Sequence, residues 1–264
     1  MRFFKDLKRY FRYALYSAGC ELKAQVAGSY LGWLWWILDP LLFMLVYTFV
    51  MEVVFGTTVE HFPLFVFIGL TVWNLFAVTV QSSTEIIRSY AAVTKKTYIP
   101  KFVMILMNEF VNLIKMLIGL ALALLITLII GLPITVHLLE MIPVLFVYFV
   151  LVFGVSVICA NIGVFVSDFS HVMTVVIRML FYLSGVFYTL DRLEGNTLFG
   201  KPLLSVYNMI CPTGFLIKQF RDVMMYGLSA DWMRLGYWFA IGILLSVIGL
   251  AVMYRNEKVY MKVS

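Results

Sequence analysis

Charge is scarce in this chain. Only 13% of its 264 residues are Asp, Glu, Lys or Arg, against about a quarter in a soluble domain. Hydrophobic residues make up 63% and mean hydropathy is +0.97, so no sizeable soluble domain is hidden here. A nucleotide-binding domain is excluded on that ground, and no G-x-x-x-x-G-K-[ST] phosphate cradle occurs. If ATP drives this protein, the ATPase is another polypeptide. Cysteine is rare too: Cys20, Cys159 and Cys211 show no metal spacing or pairing pattern, and read as packing residues. A membrane-embedded glycosyl- or acyltransferase would need acids or histidines converging near one membrane face, whereas the 14 acidic residues are scattered. Residues 1–27 are interrupted by charge, so no cleavable signal peptide is expected. The net charge of +6 does not point to nucleic acid, because the charges sit at the edges of apolar runs.

Those apolar runs dominate the chain. Six are long enough to cross about 20 residues' worth of hydrocarbon: 33–55, 63–83, 102–131, 141–166, 172–190 and 235–254. Ahead of them, Phe3, Leu7, Tyr10 or Phe11, Ala14, Ala18, Leu22 and Val26 recur at helical spacing, with Lys5, Lys8, Arg9, Arg12 and Lys23 on other faces. That pattern predicts an amphipathic helix within residues 1–32, lying at the membrane interface or against a partner. The third run carries Asn108, Glu109, Asn112 and Lys115 in its first half, so its early turns are expected at the interface or facing protein. Lys and Arg concentrate in 1–32, 84–101 and 255–264 and are absent from 56–62 and 132–140. The positive-inside rule then predicts cytoplasmic termini and an external connection at 191–234. Within that connection, Leu203–Leu216 is apolar but broken by Asn208 and Pro212. This predicts re-entrant short helices, at 200–226, of the kind tolerated where protein buries them. The expectation is an all-α membrane protein, with residues 33–264 as its transmembrane domain.

Four stretches carry a resemblance. Ser29-Tyr30-Leu31-Gly32-x-Leu34-Trp35 with Pro40 opens span one; Lys95-Lys96-Thr97-Tyr98-Ile99-Pro100-Lys101 links spans two and three; Asp168-x-x-His171 follows span four. Ser184-Gly185-Val186-Phe187-Tyr188 is followed by Asn208, Pro212, Arg221 and Gly227. Together, and in order along the whole chain, they resemble the membrane subunit of ABC-2 type exporters, closest to the branch exporting O-antigen, capsule and teichoic-acid polymers. Ser167 stands where the family usually has Arg, and Gly185 where it often has Pro. The resemblance implies a homodimer in a bacterial cytoplasmic membrane and two copies of a separate ATPase that binds the ATP and Mg. It also implies an undecaprenyl-type lipid-linked glycan as substrate, and no covalent chemistry in this chain. An ABC-2 exporter of a small drug or lipid is the alternative within transport. A secondary transporter would show inverted repeats, which the sequence does not.

On this reading Lys95, Lys96, Tyr98 and Pro100 form a basic, proline-stopped knob that couples to the ATPase, with Arg9 and Arg12 of the interfacial helix. A plain positive-inside loop is the alternative. Arg178 lies about 9 Å into span five at 1.5 Å per residue, and either snorkels to the headgroups or meets a carrier diphosphate, which its planar fork suits. Lys115 poses the same choice. Tyr182, Phe187, Tyr188 and Tyr207 are candidates for a sugar pathway, since aromatic faces hold apolar patches of a sugar ring; core packing is the alternative. Asp39 precedes Pro40, expected to kink span one; an ionisable group inside a span is a functional candidate unless it is simply hydrated. Asp168 and His171 are expected to cap helix five and lack the further ligands of a zinc site. Gly28 and Gly32 have small-xxx-small spacing. Trp33, Trp35, Trp36, Trp73, Trp232 and Trp238 mostly mark an interfacial belt.

Overall fold

A computed structural model describes residues 2–56, 59–91, 98–190, 197–198, 201–257 and 260. The N-terminal apolar stripe becomes helix α1, Arg2–Val26. Its residues Ala14, Ala18 and Leu22 are buried, and what buries them is protein. The Phe3 ring lies 5.1 Å from Phe102 and the Phe11 ring 5.8 Å from Phe110, both on α5, Lys101–Ile130. Other α1 side chains, such as Phe4 and Tyr16, remain exposed. The first half of α5 thus faces protein on two sides. Asn108 Nδ2 donates to Ser82 Oγ (2.7 Å) and Asn112 Nδ2 to Thr79 Oγ1 (3.1 Å), both on α3, Phe62–Ser83. Glu109, on the same helix, is fully buried.

Among the described residues, five helical stretches are long and apolar enough to cross a membrane: Gly32–Val54, Phe62–Ser83, Lys101–Ile130, Val136–Phe165 and Trp232–Arg255. The shorter apolar helix Phe169–Leu183 joins them. The chain is a multi-pass, all-α membrane protein. The first stretch contains α2, Trp35–Thr48, extended by a π-helical turn, Phe49–Val54. A four-residue helix, α4 (Ile86–Ser89), follows α3. Helix α6 is Met141–Phe165, α7 Phe169–Leu183 and α10 Trp232–Arg255. Helix α3 is the hub: most of its apolar length is buried, against almost none of the first stretch. The packed core around it includes Phe67, Ile68, Tyr148, Phe215 and Phe220. Helices α6 and α10 approach closely because a Cβ at Gly154 would stand 2.8 Å from the Gly242 carbonyl oxygen, and one at Gly242 3.1 Å from Leu151 Cα. A second core lies at the α1 end, where Ile86, Phe102, Val157 and Tyr260 meet.

Three expectations need correction. Span five does not run to residue 190. Helix α7 has 15 residues, about 22 Å at 1.5 Å each. It stops where Ser184 Oγ bonds the Phe181 carbonyl (2.7 Å) and Gly185 takes φ +70°, a conformation glycine adopts cheaply. The apolar residues beyond, Val186, Phe187 and Leu190, fold back into the core. Gly28 and Gly32 are not a helix-packing pair: both have positive φ, in the turn between α1 and α2. Asp168 occupies the position before α7 but its side chain caps nothing, and His171 is exposed.

The connection after α7 holds α8, Leu203–Ile210, and α9, Pro212–Met224, broken at extended Cys211 and proline-initiated. A two-residue antiparallel pairing, Thr197–Leu198 with Lys201–Pro202, precedes them. Helix α9 is deeply buried through Phe215, Leu216, Ile217 and Phe220.

Candidate functional site: a cationic, aromatic-walled cavity

Four helices converge on one cavity of about 690 Å³, within the usual range for ligand sites. Each contributes a helical stripe: Trp36, Asp39, Pro40, Phe43 and Tyr47 from α2; Thr71, Asn74 and Val78 from α3; Asn112, Lys115, Met116 and Gly119 from α5; Ile177, Arg178, Phe181 and Tyr182 from α7. These spacings of three and four place each set on one face. On the largely buried α3, Asn74 and Val78 are exposed because they face this space. The α3–α5 wall is tight: a Cβ on Gly119 would meet Thr71 Cγ2 at 2.6 Å. Gln81 Nε2 ties α3 to α7 through the Ser170 carbonyl (3.1 Å) and Oγ (3.2 Å).

The cavity's charged groups are two cations and one carboxylate: Lys115, Arg178 and Asp39. No ion pair joins them among the described residues. Lys115 Nζ donates instead to Gln25 Oε1 of α1 (2.7 Å) and stands 5.7 Å from the centre of the Trp36 ring. Gln25 Nε2 in turn donates to Glu21 Oε1 (3.2 Å). Arg178 and Asp39 are both exposed. Pro40 is buried inside α2, and its missing N–H leaves the Trp36 carbonyl without a helical donor. The result is a partly apolar chamber with an unneutralised guanidinium, aromatic walls and amides, chemistry suited to an anionic group attached to something larger.

Of the pathway candidates, Arg178 and Tyr182 line the cavity; Phe187, Tyr188 and Tyr207 do not. The Phe187 ring packs 4.0 Å from Tyr47 and 5.0 Å from Phe181, just behind the wall. Tyr188 Oη donates to the Tyr182 and Leu183 carbonyls (3.2 and 3.1 Å), and Tyr207 Oη also bonds Leu183. Burial pushes the Tyr207 phenol up, which keeps it a donor. Asn74 and the Lys115–Gln25 contact are not evident from the sequence pattern. Asn74, an amide in the middle of span two, was the available signal.

Arg221 of α9 has a separate role. It is buried, and its guanidinium donates to the carbonyls of Phe65 (3.0 Å), Gly185 (2.8 Å) and Val186 (2.8 Å) while stacking 3.4 Å over the Phe65 ring. The fork fastens α9 to the start of α3 and to the turn that ends α7.

At the α1 end, Lys95 and Lys96 lie outside the described residues. Pro100 is buried immediately before α5 and Tyr98 is half exposed. Tyr98 Oη bonds Glu257, Tyr10 Oη reaches the Tyr98 carbonyl (3.4 Å), and Tyr254 Oη donates to Asp6 (3.0 Å). Arg9 and Arg12 stay on the exposed face of α1.

This is a helical transport-type membrane domain with a chamber between its spans. The sequence profile of the ABC-2 type transporters matches residues 19–225, and the chain belongs to that family. An O-antigen export system permease protein RfbA of Klebsiella pneumoniae is 26% identical over 234 residues, covering 88% of this chain and 87% of its own. The protein of the same name from Myxococcus xanthus is 29% identical over 177 residues, covering 67% and 68%.

Proposed function

We propose that this chain is the permease subunit of an ATP-driven exporter that moves a lipid-linked polysaccharide outward across a bacterial cytoplasmic membrane. Two copies form the pathway, and two copies of a separate ATPase, which binds the ATP and Mg, drive it. The carrier is of the undecaprenyl diphosphate type. A polyol-phosphate polymer of the teichoic-acid kind is the second substrate, and a small drug or lipid the outcome that would move the protein to another ABC-2 branch. Relatives named for O-antigen export support the substrate class. The observation that carries the mechanism is the cavity's two cations, Lys115 and Arg178, against the single carboxylate Asp39. A diphosphate entering there finds an Arg fork matched to its oxygens, and Trp36, Phe43, Tyr47 and Tyr182 offer faces to the first sugars. The first stretch, scarcely buried in one copy, is the surface we assign to the second copy or lipid. Closing of the ATPases would reach the spans through α1 and the Lys95–Lys101 loop, shifting the halves as rigid bodies. Both termini are then cytoplasmic and 191–234 external, with α8 and α9 re-entering the outer leaflet.

The test is deletion and complementation in the source cell with its ATPase present. Loss of surface polymer with internal accumulation of lipid-linked glycan, restored by the wild-type chain but poorly by Arg178→Ala, is expected. Unchanged surface polymer in the deletion strain overturns the reading.

A further inference from the structure

Lys115 is placed where three elements meet: it projects from α5 into the cavity, bonds Gln25 in the last turn of α1, and faces the Trp36 ring in the first turn of α2. Its hydrogen-bond partner Gln25 is neutral and the Glu21 carboxylate acts on it only through space, so the ammonium is held by a weaker bond than a phosphate oxygen would give it. The last turn of α1 has little else holding it to the bundle at this point. Gln25 is exposed, and the buried contacts of α1 end at Leu22. Immediately after it, Gly28 at φ +88° has open space around it, so the chain there turns without side-chain packing. Lysine, with its compact charge on a flexible stem, can change partner without moving its helix.

We propose that Lys115 is a ligand-operated latch. A diphosphate borne on a lipid carrier takes the ammonium from Gln25 as it settles between Lys115 and Arg178, and the last turn of α1 is released. Binding in the chamber is thereby signalled to the interfacial helix, and by reciprocity a force on α1 alters the grip on the headgroup. This rests on the cavity reading above.

The probe belongs on the turn that is released: Ala24→Cys, at an exposed position of α1 beyond the buried Leu22, in a Cys20→Ser background where Cys159 and Cys211 are buried. A nitroxide there, on the permease–ATPase complex in phosphatidylcholine nanodiscs, reports the mobility of that turn by its line shape. Radiolabelled geranylgeranyl diphosphate measures binding separately. Wild type should bind it saturably with a mobile component appearing in parallel, while geranylgeraniol and inorganic pyrophosphate at the same concentration give neither. Gln25→Ala should show the mobile component before ligand is added and bind at least as tightly. Lys115→Ala should also start mobile but bind about tenfold or more weakly, the loss of one charged hydrogen bond. If geranylgeranyl diphosphate binds, its binding is weakened by Arg178→Ala, and the Ala24→Cys nitroxide spectrum stays unchanged, the latch is wrong and the cavity reading stands. If it does not bind, or Arg178→Ala binds normally, the cavity reading fails and the latch with it. An equal response to inorganic pyrophosphate overturns the lipid-borne assignment.

Discussion

Replacing Arg221 with lysine tests how the junction of α3, α7 and α9 is held. The guanidinium satisfies three buried carbonyls, those of Phe65, Gly185 and Val186, at 2.8–3.0 Å. A lysine in the same space reaches one of them. Two carbonyls then lie buried without donors, at about 1–3 kcal/mol each, so a loss of about 2–6 kcal/mol is expected. At about 2–4 °C per kcal/mol for chains of this size, the unfolding midpoint should fall by at least about 4 °C. A thiol-reactive dye on purified protein in detergent provides the assay, because Cys159 and Cys211 are buried and become reactive only on unfolding. Cys20→Ser removes the exposed background thiol. An Arg221→Lys midpoint within about 1 °C of the parent would refute the view that this fork carries the α3–α7–α9 junction.

Gly119→Val should destabilise by about 1–3 kcal/mol through overpacking, because even a Cβ meets Thr71 Cγ2 at 2.6 Å; the same dye assay reads it, and an unchanged midpoint would show that α3 and α5 separate easily. Glu109→Gln keeps the shape of a buried group that has no ion pair among the described residues, so a shift of under about 1 kcal/mol is expected, and a large one would reveal a cation bound to it. Cysteines at Asn196 and Lys96, in a background lacking native cysteines, test orientation with an impermeant thiol reagent on whole cells: only the first should label, and the reverse would invert the topology. Charge reversal at both Lys95 and Lys96 should weaken ATPase assembly or uncouple hydrolysis from export while the protein stays in the membrane; normal export would reduce the loop to a topology signal.

Periodicity made α1 readable, since a stripe of apolar residues at spacings of three and four has one physical use. That the stripe meets α5 rather than lipid was foreshadowed only by Lys115, which finds Gln25 of α1, since Asn108 and Asn112 turn to α3 instead. The end of α7 was illegible because Val186, Phe187 and Leu190 continue the hydropathy of the helix past the point where Gly185 turns it. Asp39, Arg178 and Tyr182 stood out one at a time, as charged or aromatic groups in or beside apolar runs. Their convergence with Asn74 and Lys115 depends on the packing of four helices separated in sequence, which no local pattern encodes. For Phe187, Tyr188 and Tyr207 the signal was the same aromatic richness, yet the structure places them behind the cavity wall, the two phenols donating to the carbonyls that end α7.

The central claim is that this chain, driven by its ATPase, carries a lipid diphosphate-linked glycan past Lys115 and Arg178. Its most direct test is reconstitution of the purified complex in proteoliposomes with the lipid-linked glycan on the ATPase-facing leaflet. An impermeant lectin then scores the glycan on the other leaflet. The account predicts ATP-dependent appearance of the glycan, lost with a hydrolysis-dead ATPase and strongly reduced by Arg178→Ala, only partly restored by Arg178→Lys. Undiminished transport by Arg178→Ala, or ATP hydrolysis without any appearance of the glycan, would contradict it.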